Sequence, residues 1–150
     1  MQIKDIKPAN FLFFRTETTI PQLGNYLSVA QSLYEEAVRQ NLRITGAIHW
    51  HYHGFHGDVE APFTLEICLP FDEIPGDYDG IFHIKRTESF KCVSAIHEGS
   101  WLEIPRSYEK IMEYVSKNNL VPAGSNREVY VYVDFQDQEA NVTEIQLGLR

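Results

Sequence analysis

YEEAVRQNLRITGAIHWHYHGFHGDVEAPFTLEICLP, residues 34–70, lies without a gap on MEYVSKNNLVPAGSNREVYVYVDFQDQEANVTEIQLG, residues 112–148, when the chain is shifted by 78 positions. Eight of the 37 aligned pairs are identical: Glu35/Glu113, Asn41/Asn119, Leu42/Leu120, Gly46/Gly124, Tyr52/Tyr130, Glu66/Glu144, Ile67/Ile145 and Leu69/Leu147. Chance would give about two, at roughly one identity in 17 for average composition. The order of features agrees as well, so the chain reads as two copies of one unit, about 8–72 and 86–150.

Outside the gapless block, a shift of 75 pairs Gly24-Asn25-Tyr26 with Gly99-Ser100-Trp101. A three-residue length difference near the helix start reconciles the two offsets. Each copy opens on an apolar run, Phe11–Phe14 or Cys92–Ile96, that reads as a buried strand. A Gly-x-aromatic turn follows, then an amphipathic helix. Its apolar stripe is Leu27, Ala30, Leu33, Tyr34, Ala37 and Val38 in the first copy, and Tyr108, Ile111, Met112 and Val115 in the second. Pro21 and Pro105 each suit a first helical turn, although Gly24 would then sit inside the first helix. Ser100 with Glu103 resembles a capping box, with Pro105 awkwardly placed inside that helix. Asn41 and Asn119 suit C-terminal caps.

Two strands close each copy, 46–53 with 62–70 and 126–133 with 142–149. The Pro/Gly-bearing segment Asp72–Asp79 links the copies. Helices and antiparallel hairpins in this order predict a single α+β domain: an antiparallel sheet carrying two helices, with a ligand cleft between the two related halves.

Composition bounds the function. The 150 residues fit one domain, and 43% hydrophobic residues suffice for one core. No signal peptide or apolar membrane span is visible, which points to the cytoplasm and away from a membrane role. Cys68 and Cys92 lie in apolar stretches without C-x-x-C spacing and read as reduced core thiols. The net charge of −8, with Lys85-Arg86 and Lys91 the only basic cluster, argues against direct nucleic-acid binding. No cofactor motif is present.

The ordered set His97-x-Gly99-x-Trp101, a helix ending in Asn119-Leu120, Gly124, Glu128-x-Tyr130 and Thr143-Glu144-Ile145, with Tyr52-His53 in the first copy, resembles the gyrase-inhibitory-protein-like small-molecule-binding domain. That domain is also the effector-binding module of some bacterial transcription regulators, multidrug sensors among them. The resemblance covers nearly the whole chain. Trp101 departs from it, since the family more often has tyrosine there. No helix-turn-helix segment accompanies the domain, so the chain looks like a stand-alone form.

Alternation along 142–149 puts Glu144 and Gln146 on one face and Ile145, Leu147 and Leu149 on the other. Alternation alone makes Glu144 a solvent-facing carboxylate. The resemblance implies instead a glutamate that pairs with cationic ligands, since a partly desolvated carboxylate attracts a cation strongly. Glu66, its counterpart in the first copy, reads as a second cleft acid or as an exposed leftover of duplication. Tyr130, Trp101, Tyr52, Trp50 and Tyr26 supply flat rings for a hydrophobic cation or, alternatively, for the core. His49, His51 and His53 share a strand face, with Asp58 and Glu60 nearby. Alternate residues on one strand stand about 7 Å apart at roughly 3.3 Å rise each, so three converge poorly on one metal ion. His97 reads as a structural histidine of the turn, or as a general base.

Three functions are therefore expected, in this order. The first is binding of hydrophobic, cationic small molecules for sensing or sequestration. The second, implied by the resemblance, is hydrolysis of reactive strained-ring compounds with Glu144 or Glu66 activating water. The third is inhibition of a protein partner such as gyrase.

Overall fold

The computed structural model describes residues 1–150. The strands in chain order are β1 (Gln2–Ile6), β2 (Asn10–Thr18), β3 (His49–His53), β4 (Phe63–Phe71), β5 (His83–Arg86), β6 (Phe90–Glu98), β7 (Pro122–Tyr132) and β8 (Val142–Leu149). The helices are α1 (Val29–Arg39) and α2 (Ile104–Lys117). All strands join one antiparallel sheet in the order β1-β6-β8-β7-β3-β4-β2-β5, with both helices on one face, as an α+β reading requires.

The two halves are laid out alike about the β3–β7 seam. Trp50 stands opposite Glu128 there, and these two positions are 78 apart. The edge strands cross over: β1 pairs with β6, and β5 pairs with β2. Each half is thus flanked by a strand from the other. Neither edge strand is foreseen by hydrophobic pattern, because QIKDI and HIKR are short and largely polar.

Both helices end in the same way. Asn41 and Asn119 take left-handed backbone angles, φ 56° and 53°, which asparagine tolerates best among residues with a Cβ. Leu42 N–H then donates to Ala37 C=O and Leu120 N–H to Val115 C=O, closing two Schellman turns. The repeated Asn-Leu is thereby explained. The helix starts differ. In the second half Ser100 Oγ accepts from Leu102 N–H, a 3₁₀ turn covers Trp101–Glu103, and Pro105 falls in the first turn of α2. In the first half a longer 3₁₀ segment, Ile20–Tyr26, begins with Pro21 and contains Gly24, and α1 starts only at Val29.

Packing follows strand parity. Leu12, Ile67 and Leu69 lie with Leu33 and Ala37 of α1 in one cluster. Val93, Ile145 and Leu149 lie with Ile104, Ile111 and Val115 of α2 in another. A side chain such as Leu33, fully buried, contributes about 2 kcal/mol by leaving water. Because α1 rests on β2 and β4 and α2 on β6, the central strands β3 and β7 are left without a helix above them. No helix is long and apolar enough to cross a membrane.

Candidate functional site

The gap above β3 and β7 is a cleft of about 1820 Å³, lined mainly by hydrophobic side chains. Alternation puts Trp50 and Tyr52 of β3 and Asn126, Glu128 and Tyr130 of β7 on its floor. Ile20, Leu23, Leu27 and Tyr34 form the wall of the first half, and Trp101, Tyr108 and Met112 that of the second. An edge-to-face series climbs from floor to rim. Trp50–Tyr130, Tyr130–Trp101 and Trp101–Phe135 ring centroids are 5.9, 5.5 and 5.7 Å apart, within the range where such pairs attract. Trp101 Nε1 is buried without an acceptor.

Glu128 is the one acid at the floor, and it is 6% exposed. Three tyrosines donate to it: Tyr130 at 2.7 Å and Tyr52 at 3.3 Å to Oε1, and Tyr108 at 2.7 Å to Oε2. Asn126 Nδ2 donates in turn to Tyr108 Oη at 2.7 Å. No lysine or arginine pairs with Glu128. Burial raises its pKa above the ordinary carboxylate value, partly offset by the three hydroxyls. The same burial, with the carboxylate beside them, pushes the phenols of Tyr52, Tyr108 and Tyr130 well up, so they stay neutral donors.

The residues expected from sequence divide between the two sides of the sheet. Trp50, Tyr52, Trp101 and Tyr130 line the cleft. Tyr26 does not: it packs on Phe14 within the α1 cluster. The seven-residue 3₁₀ segment before α1, against three before α2, displaces it from the place Trp101 holds.

Glu66 and Glu144 lie on the opposite, helix-free face, because their strand neighbours Leu65, Ile67 and Ile145 take the helix side. Glu66 Oε2 accepts from Arg15 at 2.8 Å, and Oε1 from His53 and Lys85 at 2.7 and 3.0 Å. Glu144 Oε2 accepts from Ser94, Gln146 and Lys4 at 2.7, 3.0 and 3.1 Å. Burial alone would raise both acids, but these donors hold Glu144 below the usual range and Glu66 well below it. Lys85 and Lys4 come from the crossed-over strands β5 and β1, so each glutamate ties down an edge strand. Neither touches the cleft.

The histidines share that far face. His49 Nδ1 and His51 Nε2 are 3.1 Å apart, His51 Nδ1 faces Lys85 Nζ, and His53 pairs with Glu66. No three His, Cys, Asp or Glu side chains converge as a metal site. Asp58 instead accepts the Glu60 N–H within the β3–β4 hairpin. His97 is buried against Ser107 Oγ and Ser100 C=O, at 2.8 Å each, and fixes the turn before α2.

Sequence reasoning passed over Glu128 and Tyr108 as site residues. Glu128 was legible, since it stands two positions from Tyr130 on one strand and must share its face.

A family model described as GyrI-like small molecule binding domain matches residues 1–150. No curated protein sequence matches the chain. Among solved structures, the EcmrR C-terminal domain superposes with a TM-score of 0.85 at 19% identity, covering 99% of this chain and 96% of that one. In an EcmrR–DNA complex the similarity spans 56% of the EcmrR chain. SAV2435 bound to tetraphenylphosphonium gives 0.66 at 15% identity, with 99% and 93% covered. A hydrolase from Listeria innocua gives 0.69 at 15% identity, with 99% and 91% covered. These likenesses extend the shared fold over the whole chain.

Proposed function

The chain belongs to the GyrI-like small molecule binding domain family, and from that premise we propose that its cleft takes up hydrophobic cations and holds their positive charge at Glu128. One observation carries this reading. A carboxylate lies at the floor of an apolar cleft, buried, ringed by three neutral hydroxyls and without a cation of its own. Coulomb attraction grows as the dielectric falls, so a ligand cation gains there what surface acids cannot offer. The faces of Trp50, Trp101 and Tyr130 add cation–π attraction. SAV2435, of the same fold, is bound to tetraphenylphosphonium, a cation of this class. The biological use is sensing or sequestration of such compounds.

The reading fixes a pH dependence. Only ionised Glu128 attracts a cation, so affinity weakens as pH falls through its raised pKa. In the unliganded protein the same group contributes stability below its unfolded pKa and loses it as pH rises through the folded one. Cation binding offsets that loss.

A thermal-shift panel of lipophilic cations and size-matched neutral compounds, on wild type and Glu128→Gln, tests the proposal. Cation-selective rises confined to wild type are expected. Rises of equal size for neutral compounds, or rises surviving in Glu128→Gln, would refute it.

Hydrolysis is the second reading. The raised pKa of Glu128 favours it, because a carboxyl titrating nearer neutrality can pass a proton between water and substrate. A structural neighbour is itself a hydrolase. With Glu66 and Glu144 turned away and Glu109 and Glu113 of the cleft wall exposed, Glu128 is the buried cleft acid for the step. Catalytic consumption of a cleft ligand, stopped in Glu128→Gln, would favour this reading over binding alone.

A further inference from the structure

The helix-free face of the sheet holds a cation with which no carboxylate forms an ion pair. Arg127 stands at its middle, between His51 on β3 and Gln146 on β8. It is 8% exposed, yet its guanidinium forms no ion pair and none of its five N–H groups donates to a protein acceptor. Instead it lies 3.9 Å from the centroid of the Phe90 ring. Gly148 makes that contact available: a Cβ there would come within 2.9 Å of Phe90 Cε1 and block the ring from crossing β8.

Both carboxylates at the centre of this face are already engaged, Glu66 by Arg15, His53 and Lys85, and Glu144 by Lys4, Ser94 and Gln146. The ion pairs at the centre of this face thus use Lys4, Arg15 and Lys85 and leave Arg127 without a carboxylate partner; the other acids on this face, Glu17 and Glu98, are exposed toward the strand ends. Beside Arg127, Gln146 is 4% exposed and its Oε1 is buried without a donor. Arg127 is drawn into the sheet without an anionic partner, its guanidinium nitrogens keeping only an edge of solvent contact, and its cross-strand neighbour carries a buried unpaired acceptor, which is costly.

We propose that Arg127 is the seat of a small-oxyanion site on the helix-free face, taking a protonated oxyanion of the hydrogenphosphate kind. Its charged oxygens accept from the guanidinium fork, a geometry suited to arginine. Its hydroxyl donates to Gln146 Oε1. The near-complete burial of Arg127 limits the occupant to a small ion. This site is independent of the cleft, which lies across the sheet.

The test measures the melting midpoint of the whole chain near pH 7 with inorganic phosphate, sulfate or chloride at constant ionic strength. Phosphate at ten times its dissociation constant should raise the midpoint by roughly 4 °C. Sulfate, without a proton to give at this pH, should do less and chloride least. Arg127→Gln should lose the phosphate rise while keeping its response to a lipophilic cation, which shows the fold and the cleft intact. Gln146→Leu should level phosphate with sulfate, and it serves alone if Arg127→Gln does not fold. The proposal fails if phosphate has no advantage over sulfate and chloride in wild type, if the rise persists in Arg127→Gln, or if the preference for phosphate survives in Gln146→Leu.

Discussion

Glu128 on the cleft face and Glu66 and Glu144 on the far face are all drawn into the sheet, yet they keep different company. The two far-face acids each have a lysine brought by a strand from the other half, and further donors besides. Glu128 has only neutral hydroxyls. The contrast appears in their proton affinities: Glu66 and Glu144 are held below the ordinary carboxylate value and Glu128 above it. An acid whose cation is supplied by the protein is structural. On the proposed reading, an acid left with hydroxyls in an apolar cleft has charge to offer a ligand.

The largest expected effect that would break this comparison is at Glu66. Glu66→Ala strands Lys85, Arg15 and His53 around a buried site and should cost about 3–5 kcal/mol in a denaturant titration. At temperatures where the variant is folded, its cation affinity should match wild type. Loss of affinity there would move the anchor to the far face.

Acid should act on the far face next. Burial, then Arg127, lowers the His49 pKa to about 4, and burial lowers His51 well below its usual value. Both are neutral in the folded chain. Their contribution is present above the unfolded value near 6.5 and is lost as pH falls through the folded one. For His49 the full loss is on the order of 3 kcal/mol. A stability–pH profile of His49→Gln should be flatter between about pH 6.5 and 4 than that of wild type. Equal slopes would contradict the buried neutral imidazole.

Glu144, with its side chain more exposed than that of Glu66, should give less. Glu144→Gln is expected to lose about 1–2 kcal/mol of stability and to leave cation affinity within about twofold, by calorimetric titration. The smallest effect sharpens the cleft side. Tyr108→Phe removes one hydroxyl from Glu128 and should raise that acid's pKa further, shifting the pH midpoint of cation binding upward. A downward shift would mean that Tyr108 does not stabilise the carboxylate.

Much of the fold was legible because its signals are local. The Asn-Leu pairs report left-handed helix stops that bond back to Ala37 and Val115. The 78-residue offset relates Trp50 to Glu128, which face each other at the centre of the sheet. What escaped was set by long-range pairing. Strands β1 and β5 carry little apolar alternation and exist because β6 and β2 offer them edges. Parity correctly divided Glu144 and Gln146 from Ile145 and Leu147, but parity does not say which face the helices cover. The resemblance points Glu144 toward the cleft and leaves Glu66 open between a cleft acid and an exposed leftover of duplication. The structure connects the two glutamates to Lys85 and Lys4, whose correspondence lies outside the gapless block. Tyr26 was misplaced because equal Gly-x-aromatic spacing hides unequal 3₁₀ segments in the two halves.

The most direct test of the central claim is a calorimetric titration of tetraphenylphosphonium and of uncharged triphenylphosphine oxide into wild type, Glu128→Gln and Glu144→Gln. The account predicts that Glu128→Gln loses about 30-fold or more in affinity for the cation, some 2 kcal/mol, and less than about threefold for the neutral compound, while Glu144→Gln binds both as wild type does. Unchanged cation affinity in Glu128→Gln, or its loss in Glu144→Gln instead, would contradict the assignment of the cleft carboxylate as the anchor.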